Sequence, residues 1–205
     1  TKNAAFSPRS SHTLSTFKGR MWLIGGQNTI QGNDLNSDVW VSGDGNNWSL
    51  ATTNAPFGER TEHAAVVHDN KLWVIGGYGK DQKSSDSDYR SDVWYTADGF
   101  SWVQATSKAT FSPRKEHTAI SYDGYLWVIG GQIGQAKHSN EIWRSKDGVI
   151  WTKIKEVKGF GTRSQHTSLV FEKYFWAMGG NPLISYLKKD GVFSQGNYSD
   201  VWAFQ

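Results

Sequence analysis

The sequence repeats itself four times, with a period of about fifty residues. Paired glycines mark the copies, at Gly25-Gly26, Gly76-Gly77, Gly130-Gly131 and Gly179-Gly180. A tryptophan stands three residues before each pair, at Trp22, Trp73, Trp127 and Trp176. An Arg-x-x-His motif precedes each tryptophan, at Arg9/His12, Arg60/His63, Arg114/His117 and Arg163/His166. A period of this length is typical of the blades of a β-propeller, which bury a core only by stacking on one another.

The second half of each copy carries further tryptophans. A Ser-Asp-Val-Trp or Asn-Glu-Ile-Trp segment occurs at residues 37–40, 91–94, 140–143 and 199–202. An Asp-Gly-x-x-Trp segment then follows in the first three copies, at residues 44–48, 98–102 and 147–151. All eleven tryptophans therefore occupy repeated positions, which assigns them mainly to packing.

These motifs resemble the kelch repeat, in which a Gly-Gly pair ends an apolar strand and a tryptophan strand follows at a distance. The resemblance covers essentially the whole chain. It implies an all-β fold: a β-propeller of four-stranded antiparallel blades, with four kelch repeats visible, as part of a larger ring or completing one. The approximate repeats are residues 7–57, 58–111, 112–160 and 161–205, the last lacking its outer strand. The Asp-Gly-x-x-Trp turn is also similar to the Asp-box hairpin of sialidases, but it lacks one residue and carries no sialidase chemistry.

The strand pattern within a copy supports this fold independently. A strand follows the histidine, then a two-residue turn, then an uninterrupted apolar run such as Leu72 to Ile75. The turn pairs are Lys18-Gly19, Asp69-Asn70, Asp123-Gly124 and Glu172-Lys173, mostly residue types that tolerate positive φ and favour tight hairpins. Continuous apolar runs indicate burial on both faces, which a blade between two neighbours provides.

The two ends of the sequence leave three alternatives for the ring. Residues 1–9 match the segments that end the preceding copies, whereas the fourth copy stops before an Asp-Gly-x-x-Trp strand. The chain is therefore a fragment of a longer propeller, a closed ring completed by its own N-terminal residues, or a subunit that completes the ring by self-association. We favour the fragment, because four blades lie at the low end of the usual range.

The arginines are the most regular polar feature. The kelch resemblance implies that Arg9, Arg60, Arg114 and Arg163 lie near the mouth of the central channel, where their planar forks suit a carboxylate or sulfate ligand. The alternative is a structural role, in which each arginine bonds backbone carbonyls or an acidic residue of the neighbouring blade. The four histidines are expected to link strands, and blade symmetry should hold them too far apart for zinc.

Function in a repeat protein is expected where the copies differ, which is between Gly-Gly and the third strand. These loops span residues 27–36, 78–90, 132–139 and 181–198 and should project from one face. Aromatic side chains in them are ligand-binding candidates: Tyr78, Tyr89, Tyr186 and Tyr198, with Phe193 also available. Residues 81–88 offer oxygen ligands but lack the glycine and closing glutamate of an EF-hand, so a solvated loop is the better interpretation.

Composition excludes several classes of function. A net charge of +3 from 22 basic and 19 acidic residues is too weak and scattered for nucleic acid, and no apolar run is long enough to span a membrane. The absence of cysteine excludes disulfides and the copper site of galactose oxidase, a kelch-fold enzyme. No metal site, cofactor or catalytic residue is assigned.

Three functional hypotheses remain. The favoured one is a non-catalytic recognition or scaffold module that binds a protein or carbohydrate ligand through the variable loops and the channel mouth. The alternative is a sugar-active enzyme of the sialic acid mutarotase type, using Glu59, Glu62, Glu116 or the histidines for acid–base chemistry. A purely architectural domain is a third possibility. The regular Asp-Gly-x-x-Trp copies look like those of secreted or surface bacterial proteins, which indicates an extracytoplasmic location.

Overall fold

All regular secondary structure in the described residues is β-strand. A computed structural model describes residues 4–28, 34–79, 89–155, 157–182 and 198–204, and the backbone of 186–187 and 193–194. The strands of the first two blades are β1 (Thr13–Phe17), β2 (Arg20–Ile24), β3 (Val39–Ser42), β4 (Ser49–Thr52), β5 (Ala64–His68), β6 (Lys71–Tyr78), β7 (Tyr89–Thr96) and β8 (Trp102–Thr106). Those of the last two are β9 (Thr118–Tyr122), β10 (Tyr125–Ile129), β11 (Gln132–Gly134), β12 (Lys137–His138), β13 (Ile142–Ser145), β14 (Thr152–Lys153), β15 (Thr167–Phe171), β16 (Tyr174–Met178), β17 (Tyr186–Leu187), β18 (Phe193–Ser194) and β19 (Val201–Phe204).

Each repeat forms one antiparallel sheet with its strands in chain order. Three sheets have four strands, β1-β2-β3-β4, β5-β6-β7-β8 and β9-β10-β13-β14, and the described part of the fourth has three, β15-β16-β19. Two short hairpins, β11-β12 and β17-β18, stand between the second and third main strands of their blades. The first strands β1, β5, β9 and β15 contact one another across the blades, so they lie innermost.

The tight hairpins follow the sequence prediction. In the first three blades both turn residues have positive φ, for example 47° at Asp69 and 56° at Asn70, whereas the fourth turn has a positive φ at Glu172. Both residues of every Gly-Gly pair also have positive φ. An added Cβ at Gly77 would lie 2.7 Å from the Cβ of His63, so the pair is required by close approach as well as by backbone conformation.

The hydrophobic core lies between the blades rather than within any one of them. Trp22, Ile24 and Val39 of the first blade pack with Leu72 and Val74 of the second. Equivalent clusters join the second blade to the third and the third to the fourth. Each fully buried side chain of this kind contributes about 1.5–3 kcal/mol, so the stability of a blade depends on its neighbours.

The Asp-Gly turns close the outer hairpins and also fill the space between blades. The carboxylate of Asp98 accepts hydrogen bonds from the backbone N–H groups of Ser101 and Phe100, and these bonds lower its pKa to about 2. Gly99 follows with φ of 89°, and its α-carbon lies against the indole of Trp22 in the preceding blade, where an added Cβ would come within 2.0 Å of the ring. The turn glycine is therefore a packing residue.

We predict that Gly99→Ala is far more destabilising than Gly124→Ala. Both glycines have positive φ, but a Cβ on Gly124 would meet nothing within 4 Å. The left-handed conformation alone should cost Gly124→Ala about 1–2 kcal/mol. Gly99→Ala should lose about 1–3 kcal/mol more, because Trp22 has to move. Urea unfolding of both variants measures the difference, and equal losses would show that the Trp22 contact contributes nothing.

Candidate functional site

Each repeated arginine has a buried side chain, and Arg60, Arg114 and Arg163 lie where two blades meet. Arg60 has no exposed side-chain surface; its Nη1 donates to the Gly76 carbonyl at 2.9 Å and its Nη2 to Oδ2 of Asp92 at 2.9 Å. The guanidinium lies over the ring of Phe57, 5.1 Å from the ring centroid, and also donates to the carbonyl of that residue. The Nε1 of Trp94 donates to the same carboxylate at 2.7 Å. One acid therefore holds both the arginine and a tryptophan.

The same arrangement recurs in every blade. The acid partners are Asp38 for Arg9, Asp92 for Arg60, Glu141 for Arg114 and Asp200 for Arg163. The stacked rings are Phe6, Phe57, Phe111 and Phe160. The acid lies two residues before the tryptophan, inside the same strand or directly before it, and the indole N–H donates to the acid in each blade.

The backbone of these arginines is bonded to the preceding blade. The carbonyl oxygens of Arg60, Arg114 and Arg163 accept hydrogen bonds from Gly26, Gly77 and Gly131, at 2.8–2.9 Å. The side chains of the same residues bond their own blade. Each of these arginines thus ties two blades together, with its main chain on one and its guanidinium on the next.

The expectation that Arg9, Arg60, Arg114 and Arg163 bind a ligand has no support in this geometry. Their side chains are at most 2% exposed, and carboxylates of the protein already occupy the guanidinium groups. The alternative of a structural role fits the contacts, with one change: the acid belongs to the arginine's own repeat rather than to a neighbouring blade. The charge is buried because each guanidinium has a paired acid and carbonyl acceptors.

We predict that Asp92→Ala costs about 3–5 kcal/mol, since it leaves the buried guanidinium of Arg60 without its counter-ion. The matched control is Asp69→Asn in the same blade, which removes the charge of an acid that is 75% exposed and 3.5 Å from Lys71 and keeps a residue type that tolerates the positive φ of this turn. That change should cost less than about 1 kcal/mol. Chemical unfolding of the two variants makes the comparison, and similar losses would contradict a structural role for the Arg60 pair.

The histidines of the repeat extend from one blade to the next. The Nε2 of His63 lies 2.9 Å from the Thr13 hydroxyl of the first blade, and that of His166 lies 2.9 Å from the Thr118 hydroxyl of the third. The equivalent position facing the third-blade histidine, His117, is Ala64, which has no hydroxyl. Neither ring nitrogen of His117 forms a hydrogen bond with a described residue, and the Ile75 backbone offers it only a marginal polar contact.

Burial keeps these imidazoles neutral. Desolvation, together with the charge of the neighbouring arginine, lowers the pKa of His117 to about 3 and that of His166 to about 4. The same causes lower the pKa of His63 well below its usual value. All four histidines line one open pocket. No group of three or more potential metal ligands is found among the described residues.

We predict that stability falls with acidification from about pH 6.5 toward pH 4, by about 1.4 kcal/mol per pH unit for each buried histidine. The folded pKa values lie below the unfolded value, so the unfolded chain takes up protons that the folded chain excludes. Above the unfolded pKa this contribution to stability is complete. Free energies of unfolding between pH 7.5 and 4.5 measure the slope. His117→Gln should remove one histidine's share of it, and an unchanged slope would rule out His117 as a source.

The residue before each histidine lines an open pocket at the start of the innermost strands. These residues are Ser11, Glu62, Glu116 and Gln165, all with φ of 53–55°. Their backbones form a chain across the blades, in which Glu62 N–H donates to Ser11, Glu116 to Glu62 and Gln165 to Glu116, at 2.9–3.1 Å. Together with the four histidines they line an open, shallow cavity of about 260 Å³. We call this cavity the channel mouth.

Two of the predicted tyrosines stand beside the channel mouth. Tyr78 and Tyr89 form a register pair in β6 and β7, and their rings meet edge to face at 5.9 Å. The Nζ of Lys115 lies 5.3 Å from the centroid of the Tyr78 ring and 5.8 Å from that of Tyr89. It also lies 2.7 Å from a carboxylate oxygen of Glu62 and 3.9 Å from one of Glu116. The tyrosines thus join a charged cluster.

The remaining candidates do not join this cluster. The ring of Tyr198 lies under the guanidinium of Arg163 at 4.5 Å, which is a packing contact of the fourth blade. Tyr186 lies in β17 and Phe193 in β18, but their side chains are outside the described residues, as is the whole of residues 81–88. Two features escaped the sequence argument: the phenylalanine three residues before each arginine, and Lys115. The repetition of Phe6, Phe57, Phe111 and Phe160 was a visible signal for the first.

The sheets, their chain-order topology and the inner ring of first strands define a β-propeller of four-stranded antiparallel blades. The model of the KLHDC2/KLHL20/DRC7 kelch-repeats domain matches residues 1–205. The chain therefore belongs to the kelch-repeat family. The solved structure of YjhT is similar in fold, with a TM-score of 0.79 and 14% identity, over 96% of this chain and 69% of that one.

Several curated proteins are related in sequence. Over 63% of this chain, the sequence is 31% identical to the leucine-zipper-like transcriptional regulator 1 homolog of Drosophila melanogaster. Over 60% of this chain, it is 30% identical to beta-scruin of Limulus polyphemus. It is 28% identical to dynein regulatory complex subunit 7 of Chlamydomonas reinhardtii over 60%. The matched region spans 11–14% of these relatives. None of the residues that the structure describes forms a helix long and apolar enough to cross a membrane.

Proposed function

We propose that this chain is a recognition module that binds a protein partner at the channel mouth and the surrounding Gly-Gly loops. The proposal rests on a difference between the residues that all four repeats share and the residues that vary from repeat to repeat. The arginines, acids and tryptophans common to all copies are occupied with one another between the blades. The residues that differ between copies, including Glu62, Glu116 and Lys115, converge at one opening on one face.

The topology says which surface is available. In an antiparallel blade, connections alternate between the two faces of the propeller. The turns between first and second strands and between third and fourth strands lie on one face. The Gly-Gly loops and the links between blades therefore share the other face with the channel mouth. A rigid scaffold that gathers unlike loops on one face is a common way to build a binding surface.

The names of the relatives favour a protein partner over a small molecule. One relative is named as a subunit of a regulatory complex and another as a transcriptional regulator, while a third, from Dictyostelium discoideum, is named as a Ras guanine nucleotide exchange factor. Because the chain covers so little of these proteins, their activities are not carried over. A carbohydrate ligand, an extracytoplasmic location and self-association that completes the ring stay predictions.

A sugar-active enzyme is the second candidate, and one observation favours it. Glu62 and Glu116 line the same cavity, which provides the pair of carboxylates that acid–base chemistry needs. Against it, Glu62 is paired with Lys115, and Glu116 accepts hydrogen bonds from Ser164 and Gln165 at 2.8 Å. Glu59 does not line the channel mouth.

We predict that cross-links from this chain to its partner map to the face of the channel mouth. Lys108 and Lys137 are exposed on that face, in a link between blades and in a Gly-Gly loop. Lys18, Lys146 and Lys173 are exposed in turns on the opposite face and are the internal control. Affinity purification followed by cross-linking mass spectrometry should find partner peptides on Lys108 or Lys137. Partner cross-links confined to the opposite face would overturn the proposal.

The enzyme candidate has its own test. N-acetylneuraminic acid is added to the protein, and exchange between its anomers is followed by NMR. Acceleration that is lost in Glu62→Gln and Glu116→Gln would support the enzyme and displace the recognition module as the primary function. Exchange at the uncatalysed rate removes this candidate.

A further inference from the structure

The channel mouth offers mainly hydrogen-bond acceptors. Glu62 and Glu116 each present a carboxylate to it, and their side chains are 24% and 11% exposed. A carboxylate accepts about four hydrogen bonds. The contacts described for Glu62 and Glu116 use fewer than that, with Lys115 on the first, and Ser164, Gln165 and the more distant Lys115 on the second. Acceptor capacity therefore remains on both.

Buried histidines line the same opening with unused ring nitrogens. His63, His117 and His166 are each at least 94% buried, and Nδ1 of each has no hydrogen-bond partner among the described residues. His117 lacks one on Nε2 as well. Unpaired buried polar atoms are costly, and these nitrogens belong to side chains that line the opening, although the nitrogens themselves expose almost no surface. A neutral imidazole has one N–H donor and one acceptor nitrogen, and the acceptor can receive a hydrogen bond from a ligand that brings N–H groups.

An ammonium group of the chain itself already rests at this opening. The Nζ of Lys115 is held between Glu62 and the rings of Tyr78 and Tyr89. Burial alone would lower the pKa of this lysine, but the hydrogen bond and the charge of Glu62, with the charge of Glu116, raise it overall. Glu62, Tyr78 and Tyr89 thus form a site for a cation, and the ammonium group of Lys115 is bound there.

We propose that the channel mouth binds an arginine side chain of a protein partner, in competition with Lys115. This inference rests on the proposed recognition function and names the chemistry of the partner. A guanidinium brings five N–H donors and no acceptor, which matches a lining of carboxylates and neutral imidazoles. Its planar face also packs against tyrosine rings. With two carboxylates and one ammonium, the opening carries one net negative charge, so it attracts a basic side chain and repels an acidic one.

The test uses a small probe and does not need the natural partner. N-acetyl-arginine-N-methylamide is titrated into ¹⁵N-labelled protein and followed by NMR, with N-acetyl-glutamine-N-methylamide as the neutral control. At probe concentrations in the range of about 1–50 mM, the backbone amides of Glu62, Glu116 and Gln165 should shift with the arginine probe only. The absence of such shifts, or equal shifts with the glutamine probe, overturns the inference.

Three variants give the direction of each contribution. Glu62→Gln should weaken arginine binding at least about fivefold, because it removes a charge-assisted hydrogen bond. Lys115→Gln should tighten binding at least about threefold, because it removes the internal competitor. Glu172→Gln, an exposed change in the turn between β15 and β16, should leave binding unchanged. If Glu62→Gln does not fold, Glu116→Gln provides the same comparison.

The result for Lys115 separates this inference from a structural explanation. If Lys115 only stabilises the loops, Lys115→Gln loosens the opening and weakens arginine binding, which overturns the competition. The outcome is also distinct from that of the recognition proposal. If partner cross-links are found on Lys108 or Lys137 but the arginine probe does not bind, the recognition proposal stands and only the arginine inference is overturned.

Discussion

The structure depends on an ion pair buried between blades. In each repeat an arginine places its guanidinium against an aromatic ring, a carboxylate and a Gly-Gly carbonyl, as Arg60 does with Phe57, Asp92 and Gly76. Such a pair adds little net stability, because desolvation of the two charges offsets much of their attraction. Its consequence is geometric. The backbone of Arg114 bonds the second blade while its side chain bonds the third, so each blade is fixed relative to the next.

This fixed relation explains why the copies keep so many residues in common. The indole of Trp94 and the guanidinium of Arg60 both donate to the Asp92 carboxylate. Substitution of any of the three therefore leaves an unpaired polar group in a largely buried site. The turn glycine of one blade likewise leaves room only for the indole of the blade before it, as Gly99 does for Trp22. Repeated residues here meet a requirement that every boundary between blades imposes.

The fold was predictable from the sequence because its signals are local. Paired glycines, two-residue turns and apolar runs specify strands and hairpins within a dozen residues, and the structure places them as expected. The role of the arginines was harder to predict, because it depends on an acid about thirty residues away. The signal was present, since Arg60 and Asp92 both recur in every copy as Arg and an acid. The cluster at the opening was hidden for a different reason: it joins Glu62 and Tyr89 of the second repeat to Lys115 of the third, and of these only Glu62 has a counterpart in another copy, Glu116, so no four-fold periodicity marks the cluster.

The electrostatic character of the opening depends on how the repeated residues neutralise positive charge. The charge of each arginine is matched by its own acid, and burial keeps the imidazoles of His63, His117 and His166 neutral. These groups would otherwise make the inner ring strongly positive. With them neutralised, the few unlike side chains decide the sign of the field that a partner meets. A propeller of this design can acquire a different specificity by changing the residue before each histidine, because that position lies at the opening and outside the buried pairs that hold the blades.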